Sequence, residues 1–444
     1  MNNSAHNFDV IIIGGGPAGS GAASILAREG KRVILFEKER FPRHHIGESL
    51  MPHTYWSFQR IGILDKMKEG PSVKKFSVQF TGHSGKESRP FYFFESNHHE
   101  SAVTWQVTRS VFDEMLINHA AEQGATVHQE TPVKRVLFEG ERAIGVEVML
   151  NGALQTFYAP VTIDATGQNA MLSNKFHWRV RDKMLNKAVL YSYYKGARRE
   201  PGMDGGATLV LRACAESNGW FWYIPLENDI TSVGIVADPE YLVQGRGQDL
   251  AQIFEEEVAK CVACHKRVSE GERVDKIYAI TDYSYRSRHA AGDGFIIIGD
   301  AYGFLDPIYS SGVLLAFAMA ELAADAIHEA FQHQDFTAAR LGSFQAKLDQ
   351  GIESMRKLVY AFYAEDFSFG KFLMKYPQYR NDVINLLIGD VFRENVDEMF
   401  GPMSDFAYIP PSLTAEAFPM NGHNGAAPEI LAAKFDYYEA LVTV

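Results

Sequence analysis

Val10-Ile11-Ile12-Ile13-Gly14-Gly15-Gly16-Pro17-Ala18-Gly19 is the stretch on which the fold turns. Four consecutive apolar residues read as a strand buried on both faces, the kind that parallel sheets use. Gly14, Gly16 and Gly19 follow at GxGxxG spacing, and Ala18 opens a small-residue helix that runs to Arg28. The glycines make a tight turn and let the backbone approach a pyrophosphate, while the helix start offers free N–H groups and a positive dipole end. A second apolar run, Val33-Ile34-Leu35-Phe36, ends at Glu37, eighteen residues beyond Gly19. An acidic side chain there can accept a hydrogen bond from a ribose hydroxyl. Strand, turn, helix, strand and acid agree on dinucleotide binding. The candidate contacts are Gly14, Gly16, Ala18, Gly19 and Glu37, with Lys38 beside it.

Outward from this unit, residues 72–105, 126–164, 187–237 and 274–298 are rich in strand formers between Gly and Asn breaks. Helical spacing recurs over 107–124, 248–266, 312–332, 336–364 and 377–400, with a last short helix expected over 428–442 after an irregular, Pro- and Gly-rich tail. The expected fold is mixed α/β (α+β). A discontinuous Rossmann-like domain (about 1–70, 107–185 and 275–340) carries an inserted β-rich substrate part (71–106 and 186–274). Together they form a module over 1–340, and 341–444 is a helical C-terminal region covering the substrate site.

The net charge of −12 argues against a nucleic-acid partner, which calls for a basic stripe. No basic, apolar and small-residue leader opens the chain. The longest apolar stretch, Val313 to Ala324, reads as too short and too charged to span a bilayer. Three cysteines in 444 residues fit a reducing compartment. A cytoplasmic protein with no membrane partner is expected.

The glycine fingerprint alone leaves FAD and NAD open. Gly299-Asp300 after Phe295-Ile296-Ile297-Ile298, with Asp306-Pro307 beyond, resembles the second flavin motif of the FAD-dependent aromatic hydroxylases. Asp164-Ala165-Thr166-Gly167 resembles the same family's strand end near the cofactor, and Arg109 stands where that family places a flavin-contacting arginine. The resemblance implies FAD, with Asp164, Asp300 and Arg109 among its contacts.

Four further segments narrow the likeness. Trp220-Phe221-Trp222-Tyr223-Ile224-Pro225 matches WxWxIP, although clustered tryptophans also read as an ordinary core strand. Phe41-Pro42-Arg43-His44-His45-Ile46-Gly47-Glu48-Ser49-Leu50 ends in Gly-Glu-Ser. Asp306-Pro307-Ile308-Tyr309-Ser310-Ser311-Gly312-Val313 resembles a halide-holding loop, and Lys75 falls in Val73-Lys74-Lys75-Phe76-Ser77-Val78. Together they resemble the flavin-dependent halogenases. Tyr376-Pro377-Gln378-Tyr379-Arg380 and Ile388-Gly389-Asp390-Val391-Phe392 are similar to the C-terminal helices of the pyrrole- and phenol-type group. Tryptophan halogenases carry a glutamate where this chain has Tyr309, which argues against free tryptophan.

The resemblance implies an enzyme that uses FADH2 from a separate flavin reductase, O2 and chloride or bromide. It would halogenate a pyrrole or phenol, free or on a carrier protein, through hypohalous acid delivered by Lys75. Glu48 becomes a candidate base, Ser311 and Gly312 candidate halide ligands, Ser49, Gly312 and Val313 cofactor neighbours, and Trp220, Trp222 and Pro225 the flavin-proximal motif. Lys74 leaves the lysine assignment open by one residue. An FAD-dependent hydroxylase or reductase of the same fold, and a non-catalytic flavin protein, stand as alternatives. Cys261-Val262-Ala263-Cys264-His265 matches a haem motif but lies in a charged helical pattern, so neither haem nor metal is expected.

Overall fold

The computed structural model describes residues 8–281, 283–364 and 367–412; the helix expected over 428–442 lies outside them. Along the chain the elements that position the site are β1 (Val10–Ile13), α1 (Pro17–Arg28), β2 (Val33–Phe36), β3 (Val73–Lys75), β4 (Ser77–Thr81), β5 (Thr104–Gln106), α2 (Arg109–Glu122), β6 (Thr126–His128) and β7 (Val161–Asp164). Then come β8 (Ala188–Lys195), β9 (Thr208–Arg212), β10 (Trp220–Pro225), β11 (Ile230–Ala237), α3 (Leu250–Lys260) and α4 (Val262–Val268). Last are β12 (Ala291–Gly292), β13 (Phe295–Ile297), α5 (Ser311–His333), α6 (Gln345–Tyr363) and α7 (Arg380–Ile388).

The chain divides into two units. Among the described residues, the first holds those of 8–77, 92–185 and 283–410; the second holds those of 78–91, 186–281 and 411–412. In the first, the sheet order is β12-β13-β7-β1-β2-β6, parallel throughout except at the β12 edge. Every residue of β1, β2 and β7 is buried, which is why these strands read as unbroken apolar runs rather than alternating ones. The helical residues 341–410 cluster with this unit rather than standing apart.

α5 extends 23 residues, beyond the stretch expected. By length and composition it is long enough and apolar enough to cross a membrane, but 67% of that window is buried and it packs against α1. It is a core helix of the first unit. The helix expected over 377–400 is also corrected: α7 ends at Gly389, whose φ of +99° stops it. A Cβ there would sit 2.7 Å from Leu314 Cδ2 and 3.0 Å from His53 Cβ, so close packing reserves the cap position for glycine. The helix expected over 336–364 likewise divides, with Gly342 between Ala338–Leu341 and α6.

In the second unit β8, β11, β10 and β9 form antiparallel neighbours, and β4 adds to β9 in parallel. One face carries Leu209, Leu211, Phe221, Tyr223, Val233 and Ile235 into a core with Ile253, Phe254 and Val258 of α3. The helical stretch 248–266 is broken at Cys261, whose backbone is extended. Cys261 and Cys264 are buried and His265 is exposed; burial pushes the Cys261 thiol up to about 11. No group of side chains suited to a metal occurs among the described residues.

Candidate active site

The turn between β1 and α1 opens into a cleft of about 370 Å³. Its lining includes Glu37, Lys38, Gly14, Gly16, Gly47 and Asp300. Gly14 has φ +105°, and a Cβ on it would lie 2.3 Å from the Ala165 carbonyl oxygen. At Gly19 a Cβ would lie 1.9 Å from the Gly14 oxygen, so Gly19 serves helix-to-turn packing rather than lining the cleft. Gly16 caps α1 with no side chain bonded to the helix start, leaving N–H groups open to a phosphate. The Glu37 carboxylate accepts the Gly15 N–H at 2.7 Å and the Glu39 N–H at 2.9 Å. It therefore pins the turn while retaining acceptor capacity for a ribose.

Arg109, at the start of α2, donates two hydrogen bonds of 2.8 Å to Asp113 and others to the Ile46 and Gly47 carbonyls. Asp300 faces the cleft; burial pushes its carboxyl up to about 6, against the pull of Arg109. Asp164 lies off the cleft. Its carboxylate accepts the Thr166 N–H and hydroxyl and the Leu172 N–H, which fixes the Ala165–Gly167 turn that does line it.

Two residues of the cleft were not singled out from the sequence. Arg43 forms ion pairs with Asp113 and Glu39, and its Nε and Nη1 make no hydrogen bond. The His45 side chain is exposed in the cleft, with its Nδ1 2.8 Å from the Ile46 carbonyl oxygen. Their signal was a cluster of basic residues in the segment before Gly47. Open N–H groups, a cradle that only glycine fits, and the Arg43 guanidinium, whose Nη2 lies 3.7 Å from where a Gly16 Cβ would stand, suit a dinucleotide with a negatively charged diphosphate.

Beyond Gly47 the chain runs extended through Leu50 alongside β5. Val107 N–H donates to the Glu48 oxygen at 2.7 Å, Leu50 N–H donates to the Trp105 oxygen at 3.1 Å, and Ser49 bridges Gln106. On the other side of β5 lies β3, with Lys75 opposite Thr104. Alternation exposes Lys74 and buries Lys75 to 4% exposure. Lys75 Nζ reaches over β5 and donates to Ser49 Oγ at 2.8 Å and to the Leu50 oxygen at 3.0 Å. It stands 5.6 Å from the centre of the Phe93 ring. Burial lowers its pKa to about 7. Ser49, expected beside the cofactor, is thus the partner of Lys75. Glu48 is 2% exposed, and its charge acts on Arg109.

Ser311 and Gly312 form the first turn of α5, behind Ser310 at φ +58°; Gly312 and Val313 line the cleft and Ser311 is buried. A Cβ on Gly312 would meet the Phe304 ring at 2.9 Å. Trp220 and Trp222 lie in the second unit, both buried, on the face of β10 opposite Phe221 and Tyr223; Pro225 ends the strand. The Trp222 indole donates to Ser232 Oγ at 3.0 Å.

A family model for tryptophan halogenase matches residues 9–103 and 92–404. The chain belongs to the tryptophan halogenase family. This halogenase is 32% identical over 412 residues to a 1H-pyrrole-2-carbonyl-(peptidyl-carrier protein) chlorinase of Pseudomonas fluorescens, across 88% of this chain and 90% of that protein. It is 31% identical over 391 residues to the corresponding brominase of Pseudoalteromonas luteoviolacea, across 87% and 93%. The fold of the halogenase matches that of the flavin-dependent brominase Bmp2 with a TM-score of 0.80 at 30% identity, over 90% of this chain and 98% of that one. The protein is a flavin-dependent halogenase with FAD as its cofactor.

Proposed function

We propose that this halogenase acts on a pyrrole or phenol ring presented on a carrier protein. It takes its reduced FAD from a separate flavin reductase in the cytoplasm. The observation that carries the reading is the buried amine of Lys75, one short segment away from the cleft that would hold the flavin.

Gly14 to Ala18, Glu37, Arg43, Arg109 and Asp300 would hold FAD. When bound and reduced, FAD supplies the activation of O2 that oxidises halide. The Ser311 and Gly312 N–H groups at the start of α5 would hold chloride or bromide. Lys75 would hold the oxidised halogen and aim it at the ring, where a C–H is exchanged for a C–halogen bond and a proton leaves. Glu48 is the candidate acceptor of that proton, by its place beside Ser49. Holding the oxidant at a fixed amine makes positioning the source of selectivity.

Two observations favour a tethered pyrrole over free tryptophan. Two relatives, matched along 88% and 87% of this chain, are named for pyrrolyl groups on peptidyl carrier proteins. Tyr309 occupies the position where tryptophan halogenases carry a glutamate, and it is buried here. The test supplies the enzyme, a flavin reductase, O2 and chloride or bromide with pyrrole-2-carbonyl thioester on a carrier protein, and separately with the free acid. Mass spectrometry should find halogenated thioester. Equal turnover of the free acid would defeat the tethering part.

A further inference from the structure

The surroundings of Lys75 say more than that it is buried. Its Nζ has two hydrogen-bond acceptors within reach, Ser49 Oγ at 2.8 Å and the Leu50 carbonyl oxygen at 3.0 Å. An ammonium has three N–H bonds and no lone pair; a neutral amine has two N–H bonds and one lone pair. Two acceptors therefore engage both N–H bonds of the neutral amine and leave an ammonium with one buried N–H unmatched, which is costly. The Phe93 ring favours the cation, but at 5.6 Å from the ring centre it lies near the outer limit for that interaction.

We propose that Ser49 is a positioning residue: with the Leu50 carbonyl it engages both N–H bonds of a neutral Lys75 amine, so that the lone pair is left to accept the hydroxyl of hypohalous acid. The proposal rests on the reading that Lys75 delivers the halogen. The two acceptors differ in an informative way. The Leu50 oxygen belongs to a backbone tied to Trp105 and cannot be removed by substitution. The Ser49 hydroxyl can. Burial, which lowers the pKa of Lys75 to about 7, acts in the same direction as this hydrogen-bond count.

The experiment compares wild type, Ser49→Ala, Ser49→Thr and Lys75→Ala. It uses reduced FAD, chloride and pyrrole-2-carbonyl thioester on a carrier protein across a range of pH. Ser49→Ala should retain bound FAD and oxidise FADH2 normally, yet give about tenfold less halogenated product per FADH2, the scale of one lost hydrogen bond. The loss should fall on kcat and leave KM unchanged. Ser49→Thr, which restores the hydroxyl, should recover most of the coupling. Wild-type coupling should fall as the pH drops below about 7.

A substrate-free measurement runs beside it. The carbon-13 shift of the Lys75 Cε, assigned by its absence in Lys75→Ala, should titrate near pH 7. If wild type gives no halogenated product, or Lys75→Ala halogenates normally, the delivery reading itself fails. If those controls behave as expected and Ser49→Ala couples as well as wild type, the Ser49 proposal alone is overturned. The same holds if Ser49→Thr is as impaired as Ser49→Ala, or if the Lys75 Cε signal titrates only at strongly alkaline pH.

Discussion

Replacing Lys75 with methionine keeps the length of the side chain and removes the titrating amine, so it should abolish the pH dependence that this one residue imposes on stability. The gap between the ordinary lysine value of 10.5 and about 7 corresponds to about 5 kcal/mol, at about 1.4 kcal/mol per pH unit. The side chain is only 4% exposed, so solvent screening relieves little of it. Below about pH 7 both folded and unfolded chains carry the proton, and the folded state bears the full cost. From about 7 to 10.5 the unfolded chain holds a proton that the folded one has shed, so stability rises with pH. Above 10.5 the cost is gone. Against this, methionine forfeits the bonds to Ser49 and Leu50, about 1 kcal/mol each or somewhat more for acceptors left buried. Lys75→Met should therefore be more stable than wild type by about 2 kcal/mol near pH 6, and less stable by a similar amount above the lysine range. The two curves should cross between about 7 and 10.5. Urea unfolding of both proteins, with saturating FAD, measures the difference at each pH. A difference that stays flat over that window would refute the argument that the buried amine is neutral.

Lys75→Ala should keep FAD and consume FADH2 with O2, yet release hydrogen peroxide or free hypohalous acid in place of halogenated product. Lys74→Ala should stay active, because Lys74 is exposed on the other face of β3; loss of activity in Lys74→Ala alone would reassign the lysine. Glu37→Ala should weaken FAD binding by about 1–3 kcal/mol, since it removes a charged acceptor and also frees the Gly15 N–H; unchanged affinity by titration calorimetry would remove Glu37 from the site. NADPH alone should reduce the bound flavin poorly, and an added flavin reductase should restore turnover; fast reduction without it, followed by absorbance, would favour a hydroxylase. Gly389→Ala should lower stability by about 1–3 kcal/mol, through its positive φ and its contact with Leu314; an unchanged melting temperature would contradict the crowding seen there.

The sequence announced what short-range patterning can carry. The glycine turn, its flanking buried strands and Glu37 were legible because each is a local feature with a fixed spacing, and the structure joins them in one parallel register. The alternation that buries Lys75 and exposes Lys74 was legible for the same reason. Ser49 was not assigned to its partner, because the contact depends on β5 standing between residues 49 and 75, and no local pattern reports that register. Arg43 and His45 were overlooked because a basic residue on a loop reads as solvated until the cleft beneath it is known. The break at Gly389 was missed although a glycine just past a helix is itself a local stop signal; only its tight packing on Leu314 and His53 is remote in sequence.

The segment from Gly47 to Leu50 gives the site its order. Gly47 lines the cleft, and three residues later the Leu50 carbonyl touches the lysine amine. An extended chain advances about 3.3 Å per residue, so the two ends lie on the order of 10 Å apart. Both ends are tied down. Arg109, itself held by Asp113, grips the Ile46 and Gly47 carbonyls, while Trp105 and Val107 bond to Leu50 and Glu48. A reactive oxidant made at one place and used at another needs a fixed relation between the two, or it escapes. Here that relation does not depend on a mobile loop: one segment, paired to a strand and clamped by a buried arginine, forms part of the wall of the cleft and part of the cradle of Lys75. Loosening the clamp at Arg109 should thus disturb delivery as well as flavin binding, whereas loosening Ser49 disturbs delivery alone. That asymmetry follows from the order of residues along the segment: Gly47 lines the cleft, while Ser49 and Leu50 hold Lys75.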